Sequence, residues 1–154
     1  MIGQLAHDVV EHAARCLTAA GYVAPDRRYV SHAAPAGDLC EELVAWVDPV
    51  ANPAVSPGVV THQAVVHVDL TRCVPTASAG DPVPNADPLT VSAVDLADQA
   101  WVIWTCLVAS IDTGDGPFAP CSQTVPIDLI PLGPDGVFGT WRATFRVTIT
   151  PTAV

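Results

Sequence analysis

The chain contains no lysine, and its six arginines face 16 acidic residues, for a formal net charge of −10 over 154 residues. Proteins that grip nucleic acid do so with basic side chains on phosphates, so this balance speaks against such a grip and for a surface that repels phosphate. No apolar run approaches the ~18 residues that read as a membrane-crossing helix, and no membrane partner is expected. Met1-Ile2-Gly3-Gln4 lacks the basic stretch and apolar block of a secretory signal. Five cysteines (Cys16, Cys40, Cys73, Cys106 and Cys121) include no C-x-x-C pair, which excludes a zinc knuckle or a thioredoxin-like motif. Their odd number and wide spacing read as buried reduced thiols. A Cys40–Cys73 bridge is the alternative, without support from spacing. Phosphate-loop and dinucleotide patterns are absent, and Gly133, Gly136 and Gly139 follow neither.

Catalytic signatures are equally absent. His67 and Asp69 share a strand face and could orient a base, but no serine or cysteine nucleophile sits at a recognisable motif beside them. Cys73 follows Arg72, a cation able to lower a thiol pKa, although a structural thiol is the simpler reading. His62 and His67 fall on opposite strand faces, and His7 and His12 lie too far around a helix to share one metal. Asp8 and His12, four apart, could form a surface pair, and a solvated helical face is the simpler reading. The expectation is no catalytic residue, no metal, no cofactor and no enzymatic activity.

What is present is a pattern of α+β elements in a single domain, residues 1–154. Ile2, Leu5, Ala6, Val9, Val10, Ala13, Ala14 and Leu17 form the apolar face of an amphipathic helix, with Gly21 as its C-cap and Pro25 barring a restart. Arg27–His32 reads as a short strand. In Leu39–Val47, Leu39, Leu43, Ala45 and Val47 share a face. Pro49, Pro53 and Pro57 then break the chain. In Val59–Cys73, Val60, Ala64, Val66, Val68 and Leu70 share a face. That run would span roughly 50 Å, which predicts a bulge or a projecting ribbon. The stretch Pro75–Pro88 has no periodicity. A second helix is predicted from a Ser92/Asp95 cap to about Ser110. A mainly antiparallel sheet closes with a C-terminal β-hairpin. Val125, Ile127 and Leu129 alternate in its first strand, Gly133-Pro134-Asp135-Gly136 form the turn, and Trp141, Ala143, Phe145, Val147 and Ile149 alternate in its second strand.

The second helix is more apolar than one covered face requires. Leu96, Ala100, Ile103, Leu107 and Ile111 make one stripe; Ala97, Trp101, Trp104 and Val108 make another. Such a helix is either buried from several directions within the chain or packed against another subunit. Trp101, Trp104 and Val108 are therefore candidate subunit-interface residues. Trp46 joins them, either as an interface anchor or as core beneath a helix. Arg142 and Arg146 have two readings as well: cross-strand pairing with Asp128 or Asp69, or a bidentate salt bridge to another subunit.

Element order, together with Cys40, Thr71-Arg72-Cys73-Val74-Pro75, Cys106 and the stretch Pro131-Leu132-Gly133-Pro134-Asp135-Gly136-Val137-Phe138-Gly139-Thr140-Trp141, resembles the head-to-tail connector proteins of long-tailed actinobacteriophages, most of all tail terminators. The resemblance spans residues 38–150. It implies an α+β structural protein of the virion, assembled in the host cytoplasm as a homo-oligomeric, hexameric ring. Such a ring caps the tail tube, joins it to the neck, and passes genomic DNA without specific binding. The tail-tube protein and the neck stopper would be its partners. It implies no catalytic residues. Another neck or tube protein (stopper, adaptor or tail-tube subunit) and a small cytosolic α+β enzyme or ligand-binding domain are the alternatives.

Overall fold

Alternation in the last predicted strand is realised in a computed structural model of the chain, which describes residues 2–35, 40–49, 55–56, 59–75, 86–135 and 138–150. Strand β7 (Phe138–Ile149) turns Ala143, Phe145, Val147 and Ile149 into the core, and Trp141 packs against its edge. It lies second from one end of a five-stranded sheet. The sheet order is β1 (Arg27–Ser31), β2 (Glu42–Pro49), β5 (His62–Cys73), β7 and β6 (Gln123–Asp135). β1 pairs with β2 in parallel; every other pairing is antiparallel. A separate two-stranded ribbon joins β3 (Val55–Ser56) to β4 (Val59–Val60). The expected long strand from Val59 is thus divided at Thr61. Gly133, Pro134 and Asp135 of the predicted turn belong instead to β6, with Pro134 paired to Gly139 and Asp135 to Phe138. Gly136, Leu39, and most of the loops at 49–58 and 75–88 lie outside the described residues.

Helix α1 (Ile2–Ala19) buries the predicted apolar line from Leu5 through Leu17 over β1 and β2, while Ile2, predicted with it, is exposed. It ends as a glycine-capped helix should. Gly21 takes a φ of 88°, and the Tyr22 amide donates back to the Leu17 carbonyl at 2.9 Å. Helix α2 (Ala86–Thr113) covers β7 and β6 and packs beside α1. It starts six residues before the predicted Ser92 cap. Pro88 stands in the first turn, where a missing N–H costs no intrahelical bond. Asp95 is not a cap; it accepts from Gln99 Nε2 at 2.7 Å, one turn on.

The β2 face is as predicted from Leu43 onward, with Leu43 and Ala45 buried. Glu41 lies outside the strand in a left-handed conformation, φ 61°. In β6 the predicted common face of Val125, Ile127 and Leu129 does not form. A register shift between Pro126 and Asp128 places Ile127 in a bulge, so Val125 pairs with Arg146 while Leu129 pairs with Ala143. One extra residue reverses the alternation, which sequence periodicity cannot display. β6 is an edge strand, the position that tolerates Pro126 and Pro131.

The cysteines depart from the reduced-thiol reading. Cys16 is bridged to Cys106, with Cα atoms 6.1 Å apart, and Cys40 to Cys73, at 4.8 Å. Cys121 is free. Both bridges join elements far apart along the chain, and spacing along the chain does not report spacing across a fold.

Candidate functional site

Helix α2 carries the first candidate surface. Of its two apolar stripes, the first is committed to the sheet: Leu96, Ala100, Ile103 and Leu107 are buried and Ile111 packs against them. The second stripe divides. Trp104 stacks on Phe145, ring centroids 5.2 Å apart, and Val108 packs against the same core. Trp101 is 59% exposed. At ~100° per residue, Trp101 lies roughly 140° from the buried line and Trp104 only about 80°, so one tryptophan points out while its neighbour turns in. Val91 and Val94, on the outward side nearer the helix start, are 69% and 56% exposed. By length and composition Ala86–Thr113 passes for a membrane-crossing helix, with 33% of its most apolar window buried. Its inner line packs on the sheet, and Asp95 and Asp98 interrupt its middle.

The early turns of α2 run beyond the core. Leu89, Ala93 and Leu96 face Val74, Pro131 and Trp141 across an apolar groove of about 330 Å³. Gly139 permits the approach: a Cβ there would stand 2.9 Å from Leu96 Cδ2 and 3.1 Å from Val74 Cγ1.

The second surface is the sheet face turned away from the helices. Register aligns Val44, Asp69, Arg142 and Ile130 in one row, and Trp46, His67, Thr144 and Asp128 in the next. Asp69 is 1% exposed, and both its oxygens accept from Arg142, at 2.7 and 2.8 Å. This fork is the bidentate geometry that favours arginine. It raises the Arg142 pKa, the hydrogen bond to Asp69 being the largest cause. The guanidinium also sits over the Trp46 ring, 4.8 Å from its centroid, and His67 stacks on that ring at 3.9 Å. Trp46 is thereby buried without any helix above it among the described residues. Arg142 makes its strong pair within the chain, in the Asp69 reading rather than the Asp128 one. Arg146 is exposed.

His67 does not pair with Asp69 as a base with its orienting carboxylate. Its Nε2 lies 3.5 Å from Asp48 and its Nδ1 3.3 Å from the Thr144 hydroxyl. Burial lowers its pKa, and Arg142 adds to the fall. Trp46 Nε1 and Asp128 Oδ1 are buried polar atoms without a hydrogen-bond partner among the described residues.

Arg72 organises a third cluster, between the end of α1, β5 and α2. It donates to Gln99 Oε1 at 3.0 and 2.7 Å and to the Val23 carbonyl at 2.6 Å, and it is ion-paired with Glu41. Cys73 beside it is held in its disulfide, so the activated-thiol reading does not apply.

At the α1–α2 junction the structure assembles a group the sequence reading missed. His12, Cys16 and Cys106 bring one donor atom each within 4.8 Å of the others. His12 does not pair with Asp8, which accepts from Gln4 at 2.7 Å and lies 3.6 Å from His7. Its Nε2 faces Cys106 Sγ at 3.8 Å, and Arg15 stands 3.4 Å from its Nδ1. Burial, and then Arg15, lower its pKa. The spacing of His12 and Cys16, four apart on a helix, was the available signal. The third member, from another helix, had none.

No protein-family model matches the chain, and no curated protein matches it in sequence.

Proposed function

We propose that this chain is a structural ring subunit of the head–tail junction of a long-tailed phage, most like a tail terminator. In this reading copies of the chain associate as a hexamer, cap the tail tube, join it to the neck and let DNA through. The outward face of α2 carries the proposal: Trp101, Val91 and Val94 stand in solvent although the inner line of the same helix is buried in the core with α1 and the sheet. An aromatic residue with apolar neighbours on an otherwise acidic surface suits a protein contact, and a second copy is the occupant that ring closure requires. The net charge of −10 supports a wall along which DNA slides without sticking. The resemblance carried by Arg72-Cys73-Val74-Pro75 and Pro131–Trp141 directs the choice of particle.

Native mass spectrometry of the purified chain at micromolar concentration tests this. The expected result is a closed oligomer that Trp101→Ser converts to monomer, with folding stability changed by no more than about 0.5 kcal/mol. A wild-type chain that stays strictly monomeric overturns the reading. A stopper, adaptor or tube subunit would also assemble, and the position of the ring in a virion reconstruction separates these.

A further inference from the structure

The junction of the two helices points to a site independent of the ring role. We propose that His12, Cys16 and Cys106 form a two-state site: a disulfide in oxidising surroundings and, once reduced, a three-ligand site of one imidazole and two thiolates for a thiophilic divalent cation of the zinc class.

The placement follows from the helices. His12 and Cys16 are four apart on α1 and so project from one face, one turn apart. Cys106 comes from α2 across the junction, its Cα 6.1 Å from that of Cys16. A tetrahedral zinc ion with bonds of about 2.1 Å to nitrogen and 2.3 Å to sulfur holds its ligand atoms roughly 3.6 to 3.8 Å apart. His12 Nε2 and Cys106 Sγ already stand 3.8 Å apart. All three donor atoms lie within 4.8 Å of one another, and the two sulfurs must separate once the bond between them is cut, a shift within the reach of side-chain rotation. Among the described residues this is the one group of three metal-ligating side chains so placed.

The surroundings suit a bound cation. Two thiolates and a neutral imidazole balance a divalent charge and are the soft ligands that zinc selects. Gly116 lies against the histidine: a Cβ there would be 3.3 Å from His12 Cε1 and 3.0 Å from Ser110 Cβ. The glycine thus leaves the ring its place. The Ser110 hydroxyl is committed to the Leu107 carbonyl at 2.7 Å. Arg15 is the opposing group, and it reaches Nδ1 through an exposed contact of 3.4 Å that it can give up to solvent. Three protein ligands leave a fourth position for water.

The chemistry balances with a dithiol as the reductant. The dithiol is oxidised to its cyclic disulfide while the Cys16–Cys106 bond takes two electrons and two protons to give two thiols. The cation then displaces both thiol protons to solvent, forming two metal–sulfur bonds, and His12 Nε2 supplies its lone pair.

The test uses the full chain with Co2+ and Zn2+ as probes, before and after reduction by a dithiol that is then removed. Reduced protein is expected to bind one Co2+ per chain with the sulfur-to-cobalt charge transfer and intense visible bands of a tetrahedral site; oxidised protein shows neither. Cys106→Ser abolishes the spectrum, His12→Ala weakens binding at least about tenfold, and Cys40→Ser/Cys73→Ser retains it. In wild-type protein, where folding of a variant is not in question, Zn2+ shields Cys16 and Cys106 from alkylation and leaves Cys121 reactive. A reduced chain without the cobalt spectrum, a spectrum that survives Cys106→Ser or His12→Ala undiminished, or shielding that falls on Cys40 and Cys73 instead, overturns the proposal.

Discussion

On the helix-covered face of the sheet, Leu43, Val66, Phe145 and Val147 are fully shielded by apolar neighbours from α1 and α2. On the opposite face, Asp69, Glu42, Thr144 and Trp46 are shielded nearly as well, with no helix above them among the described residues. The first face is closed by volume: any well-shaped apolar side chain can serve, because dispersion and water exclusion have no direction. The second is closed by direction. Arg142 clamps Asp69 and lies over Trp46, His67 stacks on the same ring, and Arg27 and Tyr29 reach Glu42 at 2.5 and 3.3 Å. Burial without a covering layer is reached when long polar side chains lie down on the sheet, and each then depends on its partner.

The two faces should therefore fail differently. Phe145→Ala removes the largest buried side chain of the covered face, under Trp104 and Phe118, and is expected to cost about 3–5 kcal/mol in chemical denaturation. A loss below about 1 kcal/mol would mean that this core is loosely packed. Asp69→Ala leaves Arg142 unpaired on the opposite face and is expected to cost about 3 kcal/mol. The double variant Asp69→Leu/Arg142→Met should recover most of that, since what is expensive is an uncompensated charge. If the double variant is as unstable as the single one, direction is not what closes this face. The smallest effect is one of pH. His67 binds protons less readily folded than unfolded, so wild-type stability should fall as pH drops below the ordinary histidine value of about 6.5 towards the lowered folded one. His67→Gln should lose that part of the slope between about pH 7 and pH 5, measured as midpoint against pH. Identical slopes in both proteins would show that the stacked imidazole does not report its burial.

Much of the fold was legible where one residue's environment repeats along an element. Trp141–Ile149 alternates because its two faces meet different surroundings for its whole length, and Leu5–Leu17 keeps helical spacing for the same reason. Legibility ended where a single residue shifts the pattern. Ile127 reads as part of the alternation of Val125 and Leu129, but as a bulge it reverses it. Pro88 reads as loop, yet it occupies a helical first turn where proline is harmless. In the candidate sites, Arg142 with Asp69 was one of two partners foreseen, because both lie on the polar faces of predicted strands. The stack of Trp46 and His67, and the meeting of His12 and Cys16 with Cys106, had no sequence signal beyond the helical spacing of His12 and Cys16.

By itself the amino-acid order determined what is local and periodic: one amphipathic helix and one more broadly apolar, a strand alternation that sets an apolar face against a polar one, a glycine stop after α1, and a net charge of −10. Tertiary structure alone decided which partners meet: Cys16 with Cys106, Arg142 with Asp69 over Trp46, Trp104 inward and Trp101 outward. The reason is physical. Periodicity is imposed by backbone geometry over a few residues, whereas a contact between residues 90 positions apart depends on how whole elements pack.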